Sequence, residues 1–125
     1  MGYKTDEFPA FYTRESGFSV DYRIDVPEVL ANAIRIKWDL GLDGGVVVAN
    51  PIPEKYAMAH GVIDQAIALA LNEAKIQNIT GKELTPFLLA QVKELTRGES
   101  LKSNIQLVYH NAKVAAQLAL SLIHI

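Results

Sequence analysis

Three features of the 125 residues predict an α/β fold. Residues 18–24 alternate between apolar (Phe18, Val20, Tyr22, Ile24) and polar (Ser19, Asp21, Arg23), the period of a strand with one wet face. Val46-Val47-Val48-Ala49 is a short β-branched run between glycines and Asn50-Pro51, which reads as a strand buried on both faces. The second half carries three long stretches with apolar residues at helical spacing.

The elements follow in order. Six of the ten aromatics (Tyr3, Phe8, Phe11, Tyr12, Phe18, Tyr22) fall in the first 22 residues. Pro9 and Gly17 and the lack of periodicity make residues 1–16 an ordered loop whose aromatics need a surface to cover. After the 18–24 strand, Asp25 reads as an N-cap with Pro27 and Glu28 in the first turn. The helix it opens carries Leu30, Ala33, Ile34, Ile36 and Trp38 and ends at Gly41, Gly44 and Gly45. A second helix spans about 59–77, with Ile63, Ala66, Ile67, Ala70, Leu71 and Ala74 inward. A third starts at Thr85 as N-cap with Pro86 at the first helical position and ends before Gly98. Ser100 caps the last, which runs to about Leu122. It carries one apolar stripe through Ile105, Val108, Ala112 and Ala119 and another through Leu107, Val114 and Leu118. Apolar groups nearly encircle it, which predicts burial on most sides.

This inventory does not close. A strand buried on both faces belongs in a covered, multi-stranded sheet, and two strands do not make one. The rest of the sheet is expected outside these residues, so the chain reads as part of a larger α/β unit. Its composition narrows the function. Half of the residues are hydrophobic, the net charge is −2, and the charges are scattered. That argues against nucleic-acid binding and against a polybasic membrane anchor. No apolar run approaches a membrane span and no signal-peptide pattern opens the chain, so a cytoplasmic location is expected. With no cysteine, thiolate zinc sites and cysteine nucleophiles are excluded.

Few side chains point to chemistry on their own. Gly41, Gly44 and Gly45 precede a strand instead of following one, the wrong order for a dinucleotide fingerprint, and read as a helix stop and a turn. Gly81-Lys82 lacks the remainder of a phosphate loop. His60 and Asp64 stand one helical turn apart without a third metal ligand. Lys37 is flanked by Ile36 and Trp38, a setting for a desolvated amine or, more commonly, a snorkelling one. Asn50 ends the buried strand, where open α/β sheets gather ligands; its amide orients a polar ligand or ties the turn. Asn104 and Asn111 share a face of the last helix with Val108. Amides on an apolar face must find partners, and Asn104 in the first turn lies near the anion-attracting end.

Four longer runs carry more. They are Thr5-Asp6-Glu7-Phe8-Pro9-Ala10-Phe11-Tyr12, Gly44 to Glu54 around Asn50-Pro51-Ile52-Pro53, Gly81 to Ala90 around Leu84-Thr85-Pro86-Phe87, and Ser100 to Val108 around Ser103-Asn104. In this order and spacing the chain resembles the C-terminal part of the pseudouridine-5′-phosphate glycosidase, or indigoidine synthase A-like, family over residues 2 to 120. The resemblance implies that residues 1–125 are the C-terminal portion of a single glycosidase domain. The implied fold has α/β/α layers around a mixed sheet and assembles as a homotrimer. The reaction reversibly cleaves the C–C glycosidic bond of pseudouridine 5′-phosphate to uracil and ribose 5-phosphate. The family uses a Schiff-base lysine, an acid/base glutamate and a divalent metal, typically manganese.

The same resemblance implies that these groups lie upstream of this sequence. Lys37, Lys82 and Lys102 do not occupy the nucleophile's place, so the chain by itself is expected to be inactive. One family site residue carries over, Asn104, expected to position the sugar or the departing base; Asn50 is a weaker candidate for substrate binding. His110 stands where the family pattern has asparagine, and residues 121–125 match nothing in it. The alternative is a non-catalytic helical interaction module derived from the same fold.

Overall fold

The computed structural model describes residues 1–124. Six regular elements appear: β1 (Gly2–Tyr3), β2 (Arg23–Ile24), α1 (Pro27–Asp39), α2 (His60–Ile76), α3 (Leu84–Leu95) and α4 (Glu99–Ile123). The class is α/β and helix-rich. Single 3₁₀ turns at Glu54–Tyr56 and Gly81–Glu83 lead into α2 and α3.

The sheet is small and parallel. β1 pairs with β2 in the register Gly2 to Arg23 and Tyr3 to Ile24. On its other side β1 meets residues 46–49. The Tyr3 amide donates to the Ala49 carbonyl at 2.8 Å, the Ala49 amide to Met1 O at 2.8 Å, and the N-terminal amine to Val47 O at 2.9 Å. β1 thus lies between β2 and the extended segment 46–49, which it meets through a single bridge at Ala49, and the expected loop over residues 1–16 contains it. Two residues carry no readable period, and Gly2 is needed where the backbone crowds. A Cβ there would strike the Thr5 carbonyl oxygen and come within 2.8 Å of Val20 Cγ2.

Two expected strands need correction. The 18–24 alternation yields regular strand only at Arg23–Ile24, with an isolated antiparallel bridge between Glu7 and Ser19. Phe18 and Tyr22, on its apolar side, are over 70% exposed, because no layer covers them. Residues 46–49 are extended but not buried on both faces. Val46 and Val48 lean on the core formed with Tyr3, Leu30, Ile34 and Val114, whereas Val47 faces solvent at 72% exposure.

Three helix starts also differ from expectation. α1 begins with Val26 as N-cap and Pro27 at the first helical position. Asp25 is drawn away by Arg23, whose Nε donates to its carboxylate at 2.8 Å. α3 begins at Leu84, because the 3₁₀ turn at Gly81–Glu83 runs straight into it and Glu83, not Thr85, is the flanking residue. Pro86 then sits in the first turn, where a missing N–H breaks no helical bond. α4 is flanked by Gly98 at φ +82°, a left-handed position suited to glycine. Ser100 lies inside the helix, buried, its amide donating to Thr96 Oγ1 at 3.1 Å.

Two cores result. α2 and α3 form an antiparallel hairpin around Ile63, Ala66, Ala70 and Val92, joined by Tyr12 of the N-terminal arm. The Tyr12 carbonyl accepts from the Met58 amide at 2.9 Å, pinning the arm there. α1 and α4 close the second core over β1, with Arg35 Nη2 donating to Leu122 O at 3.0 Å. The last helix is not buried on most sides. Val114 is its one fully buried apolar residue, while Val108, Tyr109 and Leu120 are exposed. At the far end of α1, Trp38 is 55% exposed. Lys37 beside it donates to the carbonyls of Leu42, Asp43 and Gly44 at 2.6–2.8 Å. Its ammonium therefore fastens the turn after the helix instead of waiting for a carbonyl substrate. No helix among the described residues is long and apolar enough to cross a membrane.

Candidate functional site

The polar constellation of the molecule forms where residues 50–53 cross the middle of α4. Asn50 leaves the extended segment just before Pro51, and the proline hands the chain away from the sheet. Its Nδ2 donates to Asn111 Oδ1 at 2.8 Å and lies 3.0 Å from His110 Nδ1. One amide nitrogen has two hydrogens, so both contacts are met when the imidazole is neutral and accepts at Nδ1. The His110 pKa is lowered from its ordinary value, which favours that state. Burial is the main cause; a backbone bond to Pro51 opposes it, and Lys113, Arg14 and Lys4 add to the lowering. The other side of the Asn50 amide is unusual. Oδ1 is buried and has no hydrogen-bond partner, a state that costs free energy unless a further donor arrives.

A cavity of about 280 Å³ lies beside this triad, lined by Lys4, Arg14, Asn50, His110, Lys113 and Gln117 among others, with no carboxylate in its wall. Arg14 is held there by Nη1 donating to Ile52 O at 2.7 Å. Lys4 adopts φ +57° and places Nζ 5.3 Å from the Tyr3 ring centre. The field is positive and suits electron-rich groups. A larger open groove of about 680 Å³ begins on the other side of Asn50, between residues 46–49, Phe8, Phe11 and the Leu107–Leu118 face of α4.

The expected site residues are only partly brought together. Asn50 and Asn111 meet directly. Asn104 falls in the second turn of α4, not the first, because the helix starts at Glu99. It stands two turns, about 10 Å, from Asn111. The face they share is open, with Val108 57% exposed and Asn104 partly exposed. The side-chain bonds near it belong to its neighbours: Ser103 Oγ donates to Tyr56 O at 2.8 Å and Lys102 pairs with Glu99. His60 and Asp64 are both exposed, and no group of three metal-ligating side chains converges among the described residues. The role of His110 against Asn50, and of Arg14, Lys4 and Lys113 around them, had no sequence signal, since the partners lie up to 109 residues apart. A second buried polar group is Tyr12, whose pKa is raised by burial and lowered less by its hydrogen bond with Ser100. It ties the arm to α4.

Comparison with known proteins settles the lineage. The model of the family described as indigoidine synthase A like protein matches residues 1–121. The chain belongs to the indigoidine synthase A-like family. Curated relatives named pseudouridine-5′-phosphate glycosidase include those of Alkaliphilus metalliredigens, 59% identical over 122 residues, and Hahella chejuensis, 58% identical over 121. These matches cover 98% and 97% of this chain and 40% of each relative. The chain thus spans about 40% of the length of the curated relatives it matches. Among solved structures, the prealnumycin C-glycosynthase AlnA, crystallised with ribulose 5-phosphate, superposes with a TM-score of 0.85 at 30% identity. It covers 97% of this chain and 40% of that one. An indigoidine synthase A-like protein of Thermotoga maritima gives a TM-score of 0.82 at 36% identity, covering 97% of this chain and 39% of that one. The α/β arrangement expected from resemblance is therefore the family's own.

Proposed function

We propose that residues 1–125 are the C-terminal portion of a single glycosidase domain. Its whole form reversibly cleaves the C–C glycosidic bond of pseudouridine 5′-phosphate to uracil and ribose 5-phosphate, as a cytoplasmic homotrimer. The observation that carries this reading is the 59% identity, along 98% of the chain, to a relative named for that activity. The chemistry asks for groups these residues do not supply. A carbon–carbon glycosidic bond offers no leaving oxygen for an acid to protonate, and the family resemblance implies an opened sugar held as a lysine imine, which serves as the electron sink. Lys37 is engaged with three carbonyls. The Schiff-base lysine, the acid/base glutamate and the ligands of a divalent metal such as manganese belong to the part of the domain outside this chain. The described residues hold no set of side chains that fits such an ion.

What this portion contributes is positioning. Asn104 presents a neutral donor and acceptor from α4 to the sugar or the departing base, and Asn50 presents a fixed amide at the end of the sheet. The test joins the part of the Alkaliphilus metalliredigens relative that this chain does not span to the front of this chain. The fusion turns over pseudouridine 5′-phosphate. Asn104→Ala in the fusion lowers kcat by roughly 10²–10³ with a small change in melting temperature. A variant that melts early yet keeps near-normal turnover at low temperature makes Asn104 a structural residue. A folded fusion without turnover favours the non-catalytic interaction module.

A further inference from the structure

Acidic residues outnumber basic ones in this chain, 14 to 12, yet one corner of the molecule is positive. The cavity of about 280 Å³ beside Asn50 gathers Lys4, Arg14 and Lys113 from three distant segments, with no carboxylate in its wall. None of the three makes a salt bridge among the described residues, where the ion pairs belong to Arg23 and Lys102. Lys4 and Arg14 also border a second hollow with Asp6, Glu7 and Glu15. Two of these acids are already engaged. Asp6 accepts from Arg23 at 2.7 Å, and Glu7 accepts from the amides of Ser16 and Gly17 at 3.1 and 2.9 Å. Each cation is held in place by something other than an anion. Arg14 spends Nη1 on Ile52 O at 2.7 Å, and its other guanidinium N–H groups remain as donors. Lys4 keeps a left-handed backbone, φ +57°, which costs a residue with a side chain, and its amide is tied to Ile24 O at 3.0 Å. Lys113 precedes Val114, whose burial fixes the rotation of α4. Like charges gathered without a counter-charge raise the free energy of the folded chain, and a bound anion removes that cost.

We propose that this cavity is a binding site for a small dianionic oxyanion, a phosphate group, held by Lys4, Arg14 and Lys113 with the Gln117 amide as a further donor. Three cations suit a dianion with several acceptor oxygens better than a single carboxylate. The volume is several times a water's share of the liquid, about 30 Å³, so a group esterified to the phosphate also fits. Inorganic phosphate and a phosphomonoester present the same chemistry to these donors. His110 reports on the site from inside the protein, because the same three cations already act on its imidazole. The inference does not rest on the glycosidase activity.

Residue-resolved NMR titration tests it, on this chain and on the fusion described above, with inorganic phosphate, sulfate and glycerol 1-phosphate as probes. Phosphate shifts the resonances of Lys4, Arg14 and Lys113 saturably. Sulfate, whose charge is constant over the titration, raises the His110 pKa, since an anion beside the imidazole stabilises its charged form. Lys4→Gln and Lys113→Gln alter exposed side chains, and each weakens phosphate binding about tenfold with unchanged helical circular dichroism. Lys93→Gln, an exposed change on α3 outside the cavity, leaves binding as it was. Tighter binding of glycerol 1-phosphate than of phosphate assigns the site to a phosphomonoester, and equal or weaker binding assigns it to the free anion. Shifts that chloride reproduces at equal ionic strength overturn the proposal, as does a loss on Lys93→Gln equal to that on Lys113→Gln. Binding retained in the fusion upholds the site whether or not the fusion turns over substrate. Its loss in a folded fusion overturns the proposal and shows that the added polypeptide supplies the counter-charge.

Discussion

The α2–α3 hairpin and the β1 sheet region meet the same demand in opposite ways. Beyond their first turns, the backbone amides of α2 and α3 are paired along the helix itself, and the two helices need only bury Ile63, Ala66, Ala70 and Val92 with Tyr12 between them. The sheet region has a comparable core, with Leu30 1% exposed and Ile34 5% exposed. Its backbone, however, needs neighbours that residues 1–124 do not provide on the outer side of 46–49. A helix closes its hydrogen bonds locally, whereas a strand depends on whatever lies beside it. A portion of a fold therefore looks finished where it is helical and unfinished where it is sheet.

Substitutions in the two regions should separate these behaviours. Ile63, 2% exposed between α2 and α3, should be the most costly. Ile63→Ala removes buried methyl groups from a site with little room to collapse and should lower stability by about 2–5 kcal/mol, read from the urea midpoint. A loss below that range would mean that the hairpin core is as loose as the sheet. Gly2→Ala probes the other region where its backbone is most crowded. The new Cβ meets the Thr5 carbonyl and Val20, and the cost should be about 1–3 kcal/mol in the same assay. An unchanged midpoint would show that β1 is not fixed in this register. Val47→Thr at the open edge should change the stability of this chain by no more than about 0.5 kcal/mol, while reducing binding of a hydrophobic dye. A loss like that of Ile63→Ala would mean that Val47 is already covered.

The smallest effect concerns His110. Its pKa is lowered on folding, chiefly by burial. A group depressed in the folded state contributes stability that is fully present above its unfolded pKa, near 6.5, and is lost as pH falls through the folded value. Melting temperature should therefore fall between pH 7 and pH 5. His110→Asn, which cannot titrate, should flatten that part of the fall by about 2 °C or less. A variant whose profile overlays the parent would assign the acid sensitivity to other groups.

The same contrast explains what could be read in advance. The helices were legible because a 3.6-residue period and Pro27, Gly41 and Gly98 state their extents within the helices' own sequence. The spacing predicts α2 over about 59–77, and it lies at His60–Ile76. Cap residues were less legible: Asp25, Thr85 and Ser100 each have a cap's chemistry, but Arg23, the 3₁₀ turn before α3 and Thr96 redirected them. β1 left no trace in its two residues, and the exposure of Val47 depends on a neighbour that no local pattern describes. For the candidate site, Asn50 and Asn111 were each picked out by environment, yet their 2.8 Å contact joins positions 61 apart. Sequence spacing cannot express such a pairing. Asn104 was singled out by family pattern, and its open face gives no independent geometric sign of a ligand.

The position of Trp38 decides how this molecule can be watched. It is the only tryptophan, and it stands in the last turn of α1 with 55% of its surface in water. With that exposure its emission in the folded chain should already lie close to that of a solvated indole, and denaturant should change the wavelength little even when both cores are lost. Fluorescence titrations would follow a cooperative transition with little amplitude. Far-ultraviolet circular dichroism reports the helices directly, and the near-ultraviolet signal of Tyr12, clamped edge-on against Phe11 with ring centres 4.8 Å apart, follows the hairpin core. The indole is better used as a docking sensor: a blue shift and loss of acrylamide quenching at Trp38 would show that added polypeptide has reached the outer end of α1.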